Sequence, residues 1–289
     1  MELPPPDPRK LLDHWMAWER GEVPPGKTMS ELKTGGASGC CSSSWSRPPA
    51  PTPVERVSVR GGPQVIPRPA GARPGEPAPW AALEPDERVV TVDGIRRALA
   101  GRVGAPSDVE ADGAMAGSAV LAAVWDEDDG AHLLLTRRST GLRSHSGEVS
   151  FPGGRRDPGE TLLEAALREA AEEVALDPSS AEVLGELDHL RTITSGSFIV
   201  PFVAVLPGRP DGLRANPGEV DAVLFVPFAE LLLDEVYREE RWSWSGDVID
   251  ARPIFFFELV GDTLWGATGA MVRQMLGLAV GIPLELDHA

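Results

Sequence analysis

The sequence predicts an α/β protein in which a mixed β-sheet lies between helical layers, preceded by a largely disordered N-terminal extension. Three observations lead there. Runs of β-branched and aliphatic residues alternate irregularly with a few helical patterns, which suits a mixed sheet. The helical pattern ending near Val174 carries Leu163, Ala166, Leu167, Ala170 and Val174 in one narrow stripe at about 100° per residue, as in a helix packed on a core. Composition also breaks near residue 80. Residues 1–80 hold ten Lys+Arg and eight Asp+Glu; subtraction from the totals of 27 and 44 leaves seventeen and thirty-six for residues 81–289, so the two parts carry +2 and −19.

Residues 1–35 form a short N-terminal segment with at most one helix, at 8–20, where Leu11, Leu12, Trp15 and Trp18 share a side. Residues 36–80 are rich in Pro, Gly and Ser and have little to bury, so they read as disordered linker, and removing residues 1–80 should leave an active domain. The break near Gly36 also fits a fusion or a misassigned start. Cys40 and Cys41 are adjacent and lack the spacing of a zinc site or a disulfide framework. No apolar run approaches the roughly 18 residues that span a membrane, and the first residues lack a signal-peptide core. A soluble, cytoplasmic protein with no membrane partner is expected.

Within residues 81–289, Val89–Val92 leads into a helix at 93–100. Strands at 117–125 and 131–137 flank the turn Asp126–Gly130, a hairpin whose acidic residues lack the alternating ligands and distal Glu of a calcium loop. After the central helix come strands near 181–191, 197–206 and 220–226, then a helix at 228–233. Trp242 and Trp244 alternate and so share a strand face. The remaining elements are a strand at 253–259, a turn at Gly261-Asp262, Leu264-Trp265, and a closing helix at 267–279 that Trp265 anchors.

The central helix starts on Asp157-Pro158-Gly159-Glu160: Asp157 caps free N–H groups, Pro158 fits the first helical position and Glu160 the third. Glu169, Glu172 and Glu173 lie beside the apolar stripe at i, i+3 and i+4, where they repel one another unless something positive binds. Hard oxygen ligands suit Mg²⁺ or Mn²⁺, and a cation left with open positions suits a phosphorylated substrate. Ahead of the helix, Arg138 and Arg143 are fixed-charge, bidentate phosphate donors, and the glycines let backbone approach a ligand. His145, in the same loop, reads as solvent-facing. The acidity of residues 81–289 repels nucleic-acid phosphates at long range and argues against general DNA or RNA binding. Small phosphorylated molecules remain, since a metal reverses the sign locally.

Gly154, five residues, Glu160, seven residues, Arg168-Glu169, Ala170, one residue and Glu172-Glu173 resembles the Nudix box of the Nudix hydrolase superfamily. It departs at Ala170, smaller than usual, and at Ala175, where glycine is usual and a left-handed helix exit costs Ala roughly 1 kcal/mol. Upstream, Leu134-Leu135-Thr136, Arg138-Ser139, Arg143, Gly147 and Phe151-Pro152-Gly153-Gly154 resembles the pattern of the coenzyme A pyrophosphatases within that superfamily, with Glu148 where glutamine is frequent.

The resemblance covers about residues 82–282. It implies a Nudix-type α/β/α sandwich and a Mg²⁺- or Mn²⁺-dependent diphosphatase that cleaves coenzyme A or acyl-coenzyme A to adenosine 3′,5′-bisphosphate and (acyl-)4′-phosphopantetheine. It also implies roles. Glu169 and Glu173, with Glu172 and the Gly153 carbonyl, hold the metal; Glu172 positions or deprotonates the water, Arg168 orients the carboxylates, and Arg138, Arg143 and Gly154 face substrate. Glu219 or Asp221 is the alternative base. A Nudix hydrolase of ADP-ribose or another nucleoside diphosphate derivative is the alternative function, a non-catalytic nucleotide-sensing domain the second. Oligomeric state is open between monomer and homodimer.

Overall fold

The structure, a computed structural model, describes residues 60–105, 117–142, 145–191, 198–243 and 251–284. The expected helix at 8–20, Cys40, Cys41, Arg143 and Trp244 lie outside the described residues. In chain order the strands are β1 (Arg73–Pro74), β2 (Ser118–Glu127), β3 (Gly130–Arg138), β4 (Val149–Ser150), β5 (Gly153–Arg155), β6 (Glu182–Glu186), β7 (Leu190–Arg191), β8 (Phe198–Val205), β9 (Val220–Pro227), β10 (Tyr237–Trp242), β11 (Arg252–Glu258) and β12 (Thr263–Trp265). The helices are α1 (Val92–Leu99), α2 (Leu162–Val174), α3 (Phe228–Leu231) and α4 (Gly266–Ala279).

One sheet runs β4-β3-β2-β8-β6, with β9 on β3, β5 on β2 and β7 on β8. It is mixed, because β2 and β8 are parallel while the other pairs are antiparallel. Its central strands are apolar at nearly every position because both faces are covered. Ala119, Leu121, Ala123 and Trp125 face Ala166, Ala170 and Val174 of α2. Ala122 and Val124 point the other way, toward Ile95 and Leu99 of α1 and Met271, Met275 and Leu276 of α4. The alternation follows the period of two in strand side chains. The expected sheet between helical layers is present.

Three features differ from the sequence expectation. The described part of the expected linker, residues 60–80, packs on the domain: Trp80 is fully buried against Tyr237 and Phe257, and β1 adds to the edge of β10. Short proline-rich stretches bury little by themselves, but an extended segment can complete an existing sheet edge. Secondly, β1-β10-β11-β12 form a separate antiparallel sheet. Its Trp242 and Trp265 gather around Phe256, at ring separations of 5.9 and 6.3 Å, consistent with Trp265 as a packing anchor.

Thirdly, α2 starts four residues later than Asp157-Pro158 suggests. Thr161 is its N-cap, accepting from the Glu164 amide while the Glu164 side chain accepts from the Thr161 amide. Asp157 to Glu160 instead close a turn, with Glu160 N–H donating to the Asp157 carbonyl at 3.2 Å. Gly159 in that turn has φ +89°, which a helix cannot accommodate. Both Asp157/Glu160 and Thr161/Glu164 have capping-box spacing, and only the second is followed by an uninterrupted helical run.

Candidate active site

β5 and α2 carry the acidic box, and the close approach of β5 to β2 on one side and to α2 on the other explains its two glycines. Gly153 pairs with Val120 in the sheet, and a Cβ there would strike the Ala119 carbonyl; a Cβ on Gly154 would strike the Glu169 carboxylate. Gly154 therefore makes room for a box carboxylate, a role in addition to any contact with substrate. Gly153 meets the box through its amide, which donates to Glu173 Oε2 at 3.2 Å.

The three carboxylates do not share one environment. The Glu173 side chain is 4 % exposed, that of Glu169 18 %, and that of Glu172 56 %. Sequence periodicity places them as neighbours on one rim, but α2 packs on β2 and β5, and that contact submerges Glu173 while leaving Glu172 at the surface. Burial pushes the Glu173 carboxyl up to about 7, against the Gly153 amide and Arg138, while the charges of Glu169 and Glu219 push the same way as burial. Glu169 is raised too, mainly by burial, with Arg168 opposing.

Arg168 organises the outer flank. Its guanidinium donates to Glu160 at 2.9 and 3.2 Å, to Glu169 at 3.0 Å, to Glu172 at 3.2 Å and to the Arg155 carbonyl at 3.1 Å. Those bonds aim the side chains of α2 and tie the helix to the end of β5. The Glu160 carboxyl is held below its ordinary range chiefly by the Arg168 hydrogen bond.

Arg138 ends β3 and stands on the opposite side of the box, with its NH1 3.6 Å from Glu173 Oε1. Its Nε is buried without a hydrogen-bond partner. An unpaired buried donor costs free energy, so this Nε is a polar group that the described residues leave unsatisfied. His145 is exposed and pairs with Glu148 at 2.9 Å, the solvent-facing arrangement expected of it.

Glu219 is brought in by the loop between β8 and β9, which docks on the C-terminal end of α2. Arg214 N–H donates to the Val174 carbonyl at 3.0 Å and Asn216 N–H to the Glu173 carbonyl at 2.8 Å, satisfying carbonyls at the helix end. The Glu219 carbonyl in turn accepts from Ser139 N–H at 2.8 Å. Of the two loop carboxylates singled out in the sequence, Glu219 is the one whose charge acts on Glu169 and Glu173; Asp221 instead accepts from Thr140 N–H at 3.4 Å. The Asn-Pro-Gly turn at residues 216–218 is the local signal for this placement.

Burial and the charges of neighbouring carboxylates, Glu219 among them, raise Glu169 and Glu173, and a hard divalent cation would relieve both effects, although Glu169, Glu173 and Glu219 do not bring three ligand atoms within 4.8 Å of one another. Among the described residues, the one group of three with ligand atoms within 4.8 Å of one another is Glu127, Asp129 and His132 on the β2–β3 hairpin, at the end of β2 remote from the box. Two of its members are already engaged: Trp125 Nε1 donates to Glu127 at 2.7 Å, and the His132 ring meets the Gly130 carbonyl at 3.2 Å.

The family model described as NUDIX domain matches residues 115–247. An uncharacterized Nudix hydrolase NudL of Photorhabdus laumondii is 38 % identical over 144 residues, which span 50 % of this chain and 74 % of the relative. Nudix hydrolase 3 of Caenorhabditis elegans is 34 % identical over 184 residues, 60 % of this chain and 75 % of the relative. Among solved structures, the NUDIX domain of Shewanella oneidensis NrtR, complexed with ADP ribose, has a TM-score of 0.35 at 24 % identity and covers 41 % of this chain and 77 % of that one. Among the described residues no helix is long and apolar enough to cross a membrane.

Proposed function

The chain belongs to the Nudix hydrolases, and from that premise we propose that it cleaves the diphosphate of coenzyme A or acyl-coenzyme A, in the cytoplasm, with Mg²⁺ or Mn²⁺. The observation that carries the reading is the pairing of a buried carboxylate, Glu173, with Arg138, a cation whose Nε lacks a partner. One side of that arrangement suits a metal and the other a phosphate. The residues that match the coenzyme A pyrophosphatase pattern, Arg138 among them, support coenzyme A over other nucleoside diphosphate derivatives.

In this reading Glu169 and Glu173, aided by Glu172 and the Gly153 carbonyl, hold the cation. When bound it supplies Lewis acidity, lowering the pKa of a coordinated water and offsetting charge on the bridging oxygens. The chain's own residues do the rest. Arg168 keeps Glu169 and Glu172 in place through its hydrogen bonds. Glu172, exposed and so solvated, takes the proton of the attacking water, and Glu219 is the alternative base. Arg138 and Arg143 bind phosphate oxygens, and Gly154 keeps the floor of the site open.

A mass-spectrometric product screen with coenzyme A, acyl-coenzyme A, ADP-ribose, NADH and diadenosine polyphosphates tests the proposal. Adenosine 3′,5′-bisphosphate as the fastest-forming product supports it. Faster release of AMP from ADP-ribose sinks the coenzyme A reading.

A further inference from the structure

Gln64 lies upstream of the residues that the family model matches, yet its side chain reaches the neck of the loop between β3 and β4. Its Nε2 donates to the Gly147 carbonyl at 3.1 Å and to Asp262 Oδ1 at 2.7 Å, while its Oε1 accepts from Thr263 N–H at 3.0 Å. Both N–H groups and the oxygen of one amide are therefore used, which places Gln64 in a single orientation. Asp262, only 4 % exposed, is held on its other side by Arg137 at 3.0 and 3.2 Å. The backbone beneath is fastened as well, by Gly62 N–H on Thr263 Oγ1 at 3.1 Å and by a bridge between Arg60 and Val260.

These contacts close a bracket. Arg137 stands where the chain leaves β3, and Gly147 stands just before β4; Gln64 and Asp262 join the two from outside the loop. Arg138 follows Arg137 directly, and its own amide donates to the Glu148 carbonyl at 2.9 Å, across the same neck. Fixing the neck fixes where the Arg138 guanidinium stands over Glu173.

We infer that Gln64 is a positioning residue for phosphate binding: through Gly147 and the Asp262–Arg137 pair, it sets the loop neck from which Arg138 meets the substrate. The inference rests on the proposal that Arg138 is substrate-side. It assigns a part in substrate binding to the segment ahead of the matched region. Misplacing a binding group by about 1 Å costs up to two decades, and a group that holds only the bound phosphate should show that loss in KM rather than in kcat.

The test uses the full chain and two variants, Gln64→Ala, which removes the bracket, and Gln64→Glu, which keeps the acceptor for Thr263 but sets a carboxylate against Asp262. Both should raise KM for coenzyme A about tenfold, leave kcat within twofold, and leave Mn²⁺ affinity without substrate unchanged. Coenzyme A affinity, read by calorimetry in the Glu173→Gln background, should weaken by the same factor. Unchanged affinity in both variants overturns the inference and leaves the proposed function standing. So does a parallel fall of kcat, Mn²⁺ affinity and melting temperature, the pattern of a merely structural tie. Failure of coenzyme A to bind the parent protein overturns the substrate reading itself, and this inference with it.

Discussion

The guanidinium of Arg138 stands 3.6 Å from the carboxylate of Glu173, close enough to be an ion pair and too far to be a hydrogen bond. Glu173 is buried, so the pairing offsets part of a charge that water cannot reach. The Nε of Arg138, buried as well, makes no hydrogen bond. A carboxylate read as a metal ligand and an arginine read as a phosphate ligand thus face each other across one site.

Glu173→Gln replaces the carboxylate proposed to hold the metal with an amide of nearly the same volume. Turnover with Mg²⁺ should fall by on the order of a hundredfold or more, as expected when a metal-held nucleophile is lost. The fold should survive, since the amide relieves repulsion from Glu169 and Glu219. Steady-state kinetics of Glu173→Gln and Glu169→Gln decide it. Near-full turnover in both sinks the metal assignment.

The same carboxyl makes metal-free stability depend on pH. Its pKa is about 7 in the fold against 4.5 ordinarily, so between those values the folded state holds more protons than the unfolded chain. This group's contribution is complete below about 4.5, is lost as pH rises through about 7, and is worth up to about 3 kcal/mol. Denaturant melts of metal-free protein should show that slope, and Glu173→Gln should lack it. Equal slopes in the two proteins would contradict the burial argument.

Coenzyme A carries a 3′-phosphate that its dephospho form lacks. A charge-assisted bond to that phosphate is worth roughly 1.5–3 kcal/mol, or about one to two decades in kcat/KM. Coenzyme A should be cleaved faster than dephospho-coenzyme A, and Arg143→Ala, or failing that Arg138→Ala, should bring the ratio toward one. Competition assays with both substrates measure it. A ratio unchanged in both variants assigns these arginines to the diphosphate alone.

Trp80 gives the truncation experiment a sharp boundary. Deleting residues 1–59 should leave a folded, active domain, whereas deleting residues 1–80 removes a fully buried Trp together with β1 and Gln64. Trp80→Ala alone should cost about 3–5 kcal/mol. Thermal melts of the two truncations and the point variant provide the comparison, and equal melting temperatures would show that Trp80 is not part of the core.

Ala175 ends α2 at φ 58° and ψ 32°, the left-handed exit that glycine adopts without cost. Ala175→Gly should therefore stabilise the domain by up to about 1 kcal/mol, less the extra freedom of glycine in the unfolded chain. A lowered melting temperature would rule out strain at this exit.

By itself the sequence determined the parts whose signal is local. The apolar strand runs, the stripe of α2, the left-handed exit at Ala175 and the spacing of Arg168, Glu169, Glu172 and Glu173 all depend on residues close in sequence, and each is present. The capping of α2 was legible as well, but two overlapping boxes competed for it, and the positive φ at Gly159 decides between them. Only the tertiary structure decided that Glu173 is buried while Glu172 is exposed, because burial depends on how α2 lies against β2 and β5. It alone joined Gln64 to Gly147, 83 residues away, and folded residues 60–80 onto the domain. Contacts between distant segments have no period to read; they arise where an edge left unpaired by one part of the chain is completed by another.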